Sequence, residues 1–295
     1  ACEAGGLGLA IALDALRGTS YMHNSHGLIH NDIKPSNILV NAECRGKLGD
    51  IGLAGTAGDV PKGYTPGYVA PEVVNNEGKG VGPATTKSDM FSWGKVLWVI
   101  YTRRQPGQGE EMALGSDCPA GLAALIKSCL SENPGDRPTA NEAIEKLESV
   151  MKEQQQARID ELFNDIDSNN NGELDPEELE EYFTAPNSRL PRLVSKFDTN
   201  EDGKITRNEW NDTFSKLHND GNDGLKKVDD QLNLLHQNHD ARQLTDKDRR
   251  LDELTEIGRT KSIQNKEKDE QIKDLKRKQS MEVVHSQAVS QRWIA

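Results

Sequence analysis

The chain has 295 residues, 34% of them hydrophobic, and a formal charge of -12, a length that suits about two domains. Its acidity argues against nucleic acid as the main partner. No apolar run reaches membrane-spanning length, and the longest, 90–101, is broken by Gly94 and Lys95. The four cysteines (Cys2, Cys44, Cys118 and Cys129) lack metal-ligand spacing, which favours reduced thiols and an intracellular, cytoplasmic location.

The opening residues do not read as a signal peptide, and a first residue other than Met reads as a fragment or a processed product. Leu9, Leu13, Leu16 and Met22 recur at helical spacing, with Gly27 placed to end the helix. The glycines at 5–8, GGLG, lack the third glycine of a phosphate loop and lead into an apolar helix, so they read as part of that helix. Residues 28–40, LIHNDIKPSNILV, then set Asp32, Lys34 and Asn37 between short apolar runs. An Asp can orient a hydroxyl proton, a Lys can neutralise phosphoryl charge, and an Asn can hold Mg²⁺. Residues 38–40 and 46–49 read as short strands around a turn, followed by Asp50-Ile51-Gly52. Further on come TPGYVAPE at 65–72, SDMFSWG at 88–94 and NPGDRPT at 133–139.

In this order these motifs resemble the large lobe of protein kinases of the serine/threonine type, over roughly half the chain. The resemblance implies that Asp32 and Lys34 are catalytic and that Asn37 and Asp50 bind the Mg²⁺ of MgATP. It further implies that Thr65 contacts Asp32 and Lys34, that Glu72 pairs with a buried Arg (here Arg137), and that Asp89 accepts backbone N–H groups of the catalytic loop. Two positions depart from the pattern. Ile51 replaces the usual Phe and, being apolar, is expected to pack. Asn31 replaces the Arg that reads a phosphate on the activation segment, so this lobe is not expected to be switched on that way. Nothing before residue 30 supplies a glycine-rich loop, a strand Lys or its partner Glu, so the small lobe is missing from this sequence.

Thr139 to Glu142 forms a capping box, and no Gly or Pro interrupts 140–165. The apolar face of Ile144, Leu147 and Met151 resumes at Ile159, Leu162, Phe163 and Ile166 after a polar stretch, 153–158. One helix of about 40 Å and two helices with a polar hinge both fit. Residues 167–178, DSNNNGELDPEE, and 198–209, DTNEDGKITRNE, both fit D-x-[DN]-x-[DN]-G-x₅-E. The first loop offers Asp167, Asn169, Asn171, the Glu173 carbonyl, Asp175 and bidentate Glu178. The second offers Asp198, Asn200, Asp202, the Lys204 carbonyl, Thr206 and Glu209. Oxygen-only ligands suit Ca²⁺. Leu174 and Ile205 are expected to pair as a short strand link, and the apolar helices flanking each loop make the segment resemble an EF-hand pair.

Residues 219–224, NDGNDG, read as a break rather than a third calcium loop, and charged residues dominate beyond them. Leu251, Leu254, Ile272 and Leu275 share an interrupted a/d seam, which fits an interrupted coiled coil or a mostly disordered charged helix. The expected fold is therefore multidomain and mainly α. A kinase-like large lobe occupies 1–150, a helical junction 151–158, an EF-hand helix–loop–helix pair 159–217, and a charged, coiled-coil-like or disordered tail 218–295. The arrangement resembles calcium-dependent protein kinases, with two EF-hands and a tail where the plant and protist pattern has four. That resemblance implies a calcium-responsive serine/threonine kinase using ATP, Mg²⁺ and Ca²⁺ on protein substrates, with a coiled-coil partner or self-association through the tail. The alternative is a catalytically inactive, kinase-like calcium-binding scaffold, favoured for this chain by the missing small lobe, Asn31 and Ile51.

Overall fold

A computed structural model describes residues 3–74, 82–107, 112–183, 195–220 and 223–235. Cys2, Leu193, Val194 and the heptad positions Leu251, Leu254, Ile272 and Leu275 lie outside the described residues. The chain divides into two compact units, one of 1–165 with 207–232 and one of 166–206 with 233–295.

In the first unit α1 (Glu3–His26) includes the GGLG stretch and ends where Gly27 turns to φ +61, the left-handed stop a glycine accepts without strain. Its buried face meets α2 (Thr86–Thr102), α3 (Ala120–Cys129) and the first half of α4 (Ala140–Ile166) in one core that includes Leu13, Leu16, Met90, Trp93, Leu122 and Leu147. Each such side chain removed from water is worth about 1.5–3 kcal/mol. The one polar atom of Trp93, its indole N–H, is satisfied by Thr19 Oγ1 at 2.9 Å. Two short antiparallel pairs lie beside this core. β1 (Leu28–Ile29) pairs with β4 (Gly55–Thr56), and β2 (Ile38–Val40) pairs with β3 (Gly46–Leu48) in the register Ile38↔Leu48. Together they pin both ends of the segments 30–37 and 49–54.

α4 is one continuous helix of 27 residues. Its start is the expected box: the Glu142 N–H donates to Thr139 Oγ1 at 3.3 Å and the Thr139 N–H to Glu142 Oε2 at 2.7 Å. The polar stretch does not hinge because its side chains have partners. Gln155 is buried and donates to the Leu225 carbonyl at 2.8 Å, Gln156 bonds Asp160 at 3.1 Å, and Arg158 pairs with Asp229 at 2.9 Å. The Arg207–His218 helix lies against α4, with Trp210 edge-on to Phe163 at 5.8 Å and its N–H on the Ile159 carbonyl at 3.1 Å. A further helix runs over 224–235. The second unit holds β5 (Glu173–Leu174), α5 (Pro176–Phe183) and β6 (Ile205–Thr206), with Leu174 paired to Ile205 as the sequence predicts and both side chains buried.

Candidate functional site

The first candidate site grows from the loop between β1 and β2. Asp32 is buried, and three side chains converge on its carboxylate. Thr65 Oγ1 donates to Oδ1 at 2.5 Å, Lys34 Nζ pairs with Oδ2 at 2.8 Å, and Asn37 Nδ2 donates to the same oxygen at 3.0 Å. Lys34 Nζ also donates to Thr65 Oγ1 at 2.9 Å, and Asn37 Nδ2 to the Asp32 carbonyl at 2.7 Å. Burial opposes the Asp32 charge. The hydrogen bonds from Lys34, Thr65 and Asn37 and the Lys34 charge outweigh it, holding the pKa below the ordinary 3.8. Asn37 spends its nitrogen on both bonds, which leaves the amide oxygen as the atom for a hard cation. The structure thus brings Asp32, Lys34, Asn37 and Thr65 together.

Asp50 stands on the adjoining segment. It has φ +56, its carboxylate accepts the Gly52 N–H at 3.4 Å, and it is exposed. The Gly49 N–H donates to the Asn37 carbonyl at 2.8 Å, fixing that segment to the loop. The carboxylate of Asp50 and the amide oxygen of Asn37 are donors that suit Mg²⁺. Ile51 corrects the expectation that it packs, being 65% exposed. The turn that follows Asp50 projects it away from the lobe core.

Beneath the site, Asp89 at the start of α2 accepts the His30 and Asn31 N–H groups at 2.8 and 3.0 Å, as expected. Two partners were missed from sequence. His23 Nε2 meets Asp89 at 2.8 Å, and His30 accepts the Asp32 N–H on Nδ1 at 3.3 Å while Nε2 faces the Gly49 carbonyl at 3.0 Å. No local pattern signals the His23 contact, because its partner lies on another helix. Asn31 sits at φ +66 and its amide donates to the Leu53 carbonyl at 2.9 Å. Glu72 and Arg137 form a fork-to-fork pair at 2.6 and 2.8 Å, with Arg137 only 1% exposed.

The second candidate site is the loop pair of the second unit, where the two loops repeat one bonding scheme. In the first, Asp167 accepts the Asn171 and Gly172 N–H groups at 3.0 Å each, Asn169 that of Asn171 at 2.9 Å, and Asn171 that of Glu173 at 2.8 Å. In the second, Asp198 accepts Asp202 and Gly203 at 3.3 and 2.9 Å, Asn200 accepts Asp202 at 3.0 Å, and Asp202 accepts Lys204 at 2.9 Å. Gly172 and Gly203 take φ +82 and +86, a bend that a side chain would strain. Glu178 folds back to accept the Asn169 and Asp175 N–H groups at 3.2 and 3.1 Å, while Asp175 caps α5 through the Glu178 N–H at 3.0 Å. Lys204, just before β6, bridges to Glu173 of β5 at 2.9 Å, so its side chain is engaged there and its carbonyl is the atom it could offer to a cation. Thr206 ends β6, and Glu209 lies buried in the first turn of the Arg207–His218 helix.

Among the described residues no three His, Cys, Asp or Glu side chains form a metal-binding group; beside their acids the two loops offer amide and carbonyl oxygens. That oxygen-only set fits Ca²⁺. Asp167 and Glu178 are 4% and 6% exposed, and buried carboxylates are stabilised by an opposite charge.

Residues 8–147 match the protein kinase domain family and residues 156–215 match the EF-hand domain pair. The chain is therefore multidomain and mainly helical, a protein kinase segment followed by an EF-hand pair. It is similar to the serine/threonine/tyrosine-protein kinase HT1 of Arabidopsis thaliana, 37% identical over 166 residues covering 49% of this chain and 41% of that protein. It is also similar to a probable serine/threonine-protein kinase of Dictyostelium discoideum, 36% identical over 154 residues covering 48% of this chain and 15% of that protein. The chain thus spans less than half the length of these relatives. Among the described residues no helix is long and apolar enough to cross a membrane.

Proposed function

We propose that this chain is the large-lobe and calcium-binding part of a calcium-responsive serine/threonine kinase, which transfers the terminal phosphate of MgATP to protein hydroxyls. The observation that carries the reading is the convergence of Lys34, Thr65 and Asn37 on the Asp32 carboxylate. Asp32 orients the acceptor hydroxyl through a free lone pair, and Lys34 places a positive charge beside the transferred group. Asn37 and Asp50 are the residues that would hold Mg²⁺, whose charge offsets that of the phosphates when bound. Asp167, Asn169, Asn171, Glu173, Asp175 and Glu178, with their counterparts Asp198, Asn200, Asp202, Lys204, Thr206 and Glu209, would hold two Ca²⁺. An intracellular setting, where ATP and regulated Ca²⁺ coexist, belongs to the same reading.

The 295 residues alone should transfer little phosphate, because they supply the catalytic loop without a glycine-rich loop and strand Lys, and phosphoryl transfer depends on positioning. The test is phosphate incorporation into a general protein acceptor by the parent protein of which we take this chain to be a segment, with and without Ca²⁺. Asp32→Ala and Asp50→Ala should each abolish turnover while leaving the fold intact. Near-normal turnover in both variants would reject these roles for Asp32 and Asp50, and no turnover in the wild-type parent would instead favour a kinase-like calcium-binding scaffold, the reading that the exposed Ile51 supports. Turnover unaffected by Ca²⁺ would separate the EF-hand pair from regulation.

A further inference from the structure

The segment that follows the Arg207–His218 helix folds back onto the first unit. Helix resumes at Gly224, where a Cβ would stand 2.1 Å from the His218 carbonyl oxygen, so no side chain fits this close approach. At the start of this helix Asp223 pairs with Arg45 at 2.5 Å, and one turn on Lys226 donates to the Glu43 carbonyl at 3.1 Å. Both partners belong to the tight turn that closes β2 and β3, where the Arg45 N–H donates to Asn41 Oδ1 at 2.8 Å. From α4, Gln155 reaches the Leu225 carbonyl and Arg158 reaches Asp229. Leu225 packs on the lobe core, and Val228 and Leu232 are fully buried. Arg45 also holds Asp14 at 2.9 Å, and Arg17 joins Asp14 to Glu148. Asp223 therefore ends a chain of charges that starts on α1.

We propose that the 41–45 turn and the Gln155–Arg158 stretch of α4 form a docking surface for the chain's own residues 223–232. Through it the Arg207–His218 helix bears on the hairpin that carries the catalytic loop's end. The match is chemical: acids on the segment meet arginines on the lobe, around a strip of buried Leu and Val. β2 and β3 span about 10 Å. Their turn is gripped by the docked segment, and their other end is closed by the Gly49–Asn37 bond, beside Asp50. A short hydrogen-bonded hairpin moves as one piece, so a pull on its turn reaches Asn37 and Asp50. The coupling rests on the calcium reading above, since Glu209 sits in the first turn of the Arg207–His218 helix and cation capture would act on that helix.

Hydrogen exchange read by mass spectrometry on the whole chain tests docking and coupling separately. Arg158→Glu should speed exchange at 223–232 and 41–46 by about threefold, the scale of one half-buried ion pair, and adding Asp229→Arg should restore the slow rate. No acceleration at 41–46, or no recovery in the swapped pair, overturns the docking surface whatever calcium does. In the wild-type chain Ca²⁺ should change exchange at both segments. Gly224→Val, whose side chain cannot be accommodated against the His218 carbonyl, should bind Ca²⁺ normally by calorimetry yet lose the response at 41–46. Binding with no change at 41–46 in the wild type overturns the coupling alone. No binding at all removes the calcium reading and the coupling with it, while the docking surface stands or falls on the Arg158 variants.

Discussion

Arg137→Ala should be among the most damaging single changes in the kinase lobe. The guanidinium is 1% exposed and spends its donors on Glu72 through both Nη atoms, on the Ser131 carbonyl at 2.8 Å through Nε, and on the Lys87 carbonyl at 3.0 Å. It also stacks over Phe91 at 5.0 Å. Removing one partner of a buried pair costs about 3–5 kcal/mol, most of it the penalty of the charge left behind. Glu72 keeps 26% side-chain exposure, so water recovers part of its solvation and the lower end applies, about 3 kcal/mol. The Ser131 carbonyl, which loses its Nε–H donor, adds to this at about 1 kcal/mol where water cannot reach. Native-state hydrogen exchange of the slowest α2 amides reports lobe stability without assuming that the whole chain unfolds in one step. Arg137→Lys should recover less than half of the loss, because an ammonium cannot make the two parallel bonds. A loss under about 1 kcal/mol for Arg137→Ala would show that the pair breaks even against its desolvation, refuting its role as the anchor of the segment that ends at Glu72.

Calcium and pH supply two further tests. Glu178→Gln and Glu209→Gln should each weaken one Ca²⁺ site about tenfold or more by removing a ligand charge, and calorimetric affinities indifferent to both changes would reject the ligand assignment. His218 bonds Gln155 at 2.8 Å, and burial together with the nearby Lys152 holds its pKa below the ordinary 6.5, against a smaller opposing pull from Asp229. The folded state therefore binds fewer protons than the unfolded one below pH 6.5, so this stabilisation is present above that pH and is lost as pH falls toward the folded pKa. The urea midpoint should drop between pH 7 and pH 5.5 more in the wild type than in His218→Gln, and equal drops would remove His218 as the cause.

Local rules carried most of what the sequence made legible. The helix through Leu9, Leu13 and Leu16, the capping box at Thr139, the left-handed glycines of the loops and the Leu174–Ile205 link each follow from spacing or from a single residue's backbone freedom. The loops in particular specify their own conformation, because first, third and fifth oxygens bond N–H groups a few residues ahead. Motif order, rather than propensity, announced the Asp32, Lys34 and Asn37 set and the distant Glu72–Arg137 pair. What escaped was set by tertiary packing. Whether 153–158 would hinge depended on Leu225 and Asp229, about seventy positions away, which satisfy Gln155 and Arg158. A polar run reads as a soft spot until its partners are known. Ile51 erred in the opposite sense, since apolar chemistry predicts burial only where a neighbour exists to cover it.

The electrostatics of Asp32 bear on what it would contribute to the phosphoryl transfer proposed above. A general base works best with a pKa near the operating pH, yet Asp32 is held below 3.8 against the effect of its own burial. The bonds from Lys34, Thr65 and Asn37 favour the carboxylate over the acid, so its proton affinity is low and its geometry fixed. A group so arranged orients a hydroxyl better than it deprotonates one, in keeping with a reaction that asks mainly for positioning. Because the folded pKa is depressed, the associated stabilisation is present above pH 3.8 and is lost as pH falls through the folded value. Carbon-13 NMR of the Asp carboxyls in the intact chain reads this without turnover. The Asp32 resonance, assigned by its loss in Asp32→Asn, should titrate below 3.8 and move upward in Thr65→Ala, where one donor is gone. A value at or above 3.8 in the wild type, or no movement in Thr65→Ala, would mean that burial outweighs the donors, and Asp32 would then be reassigned as a proton acceptor.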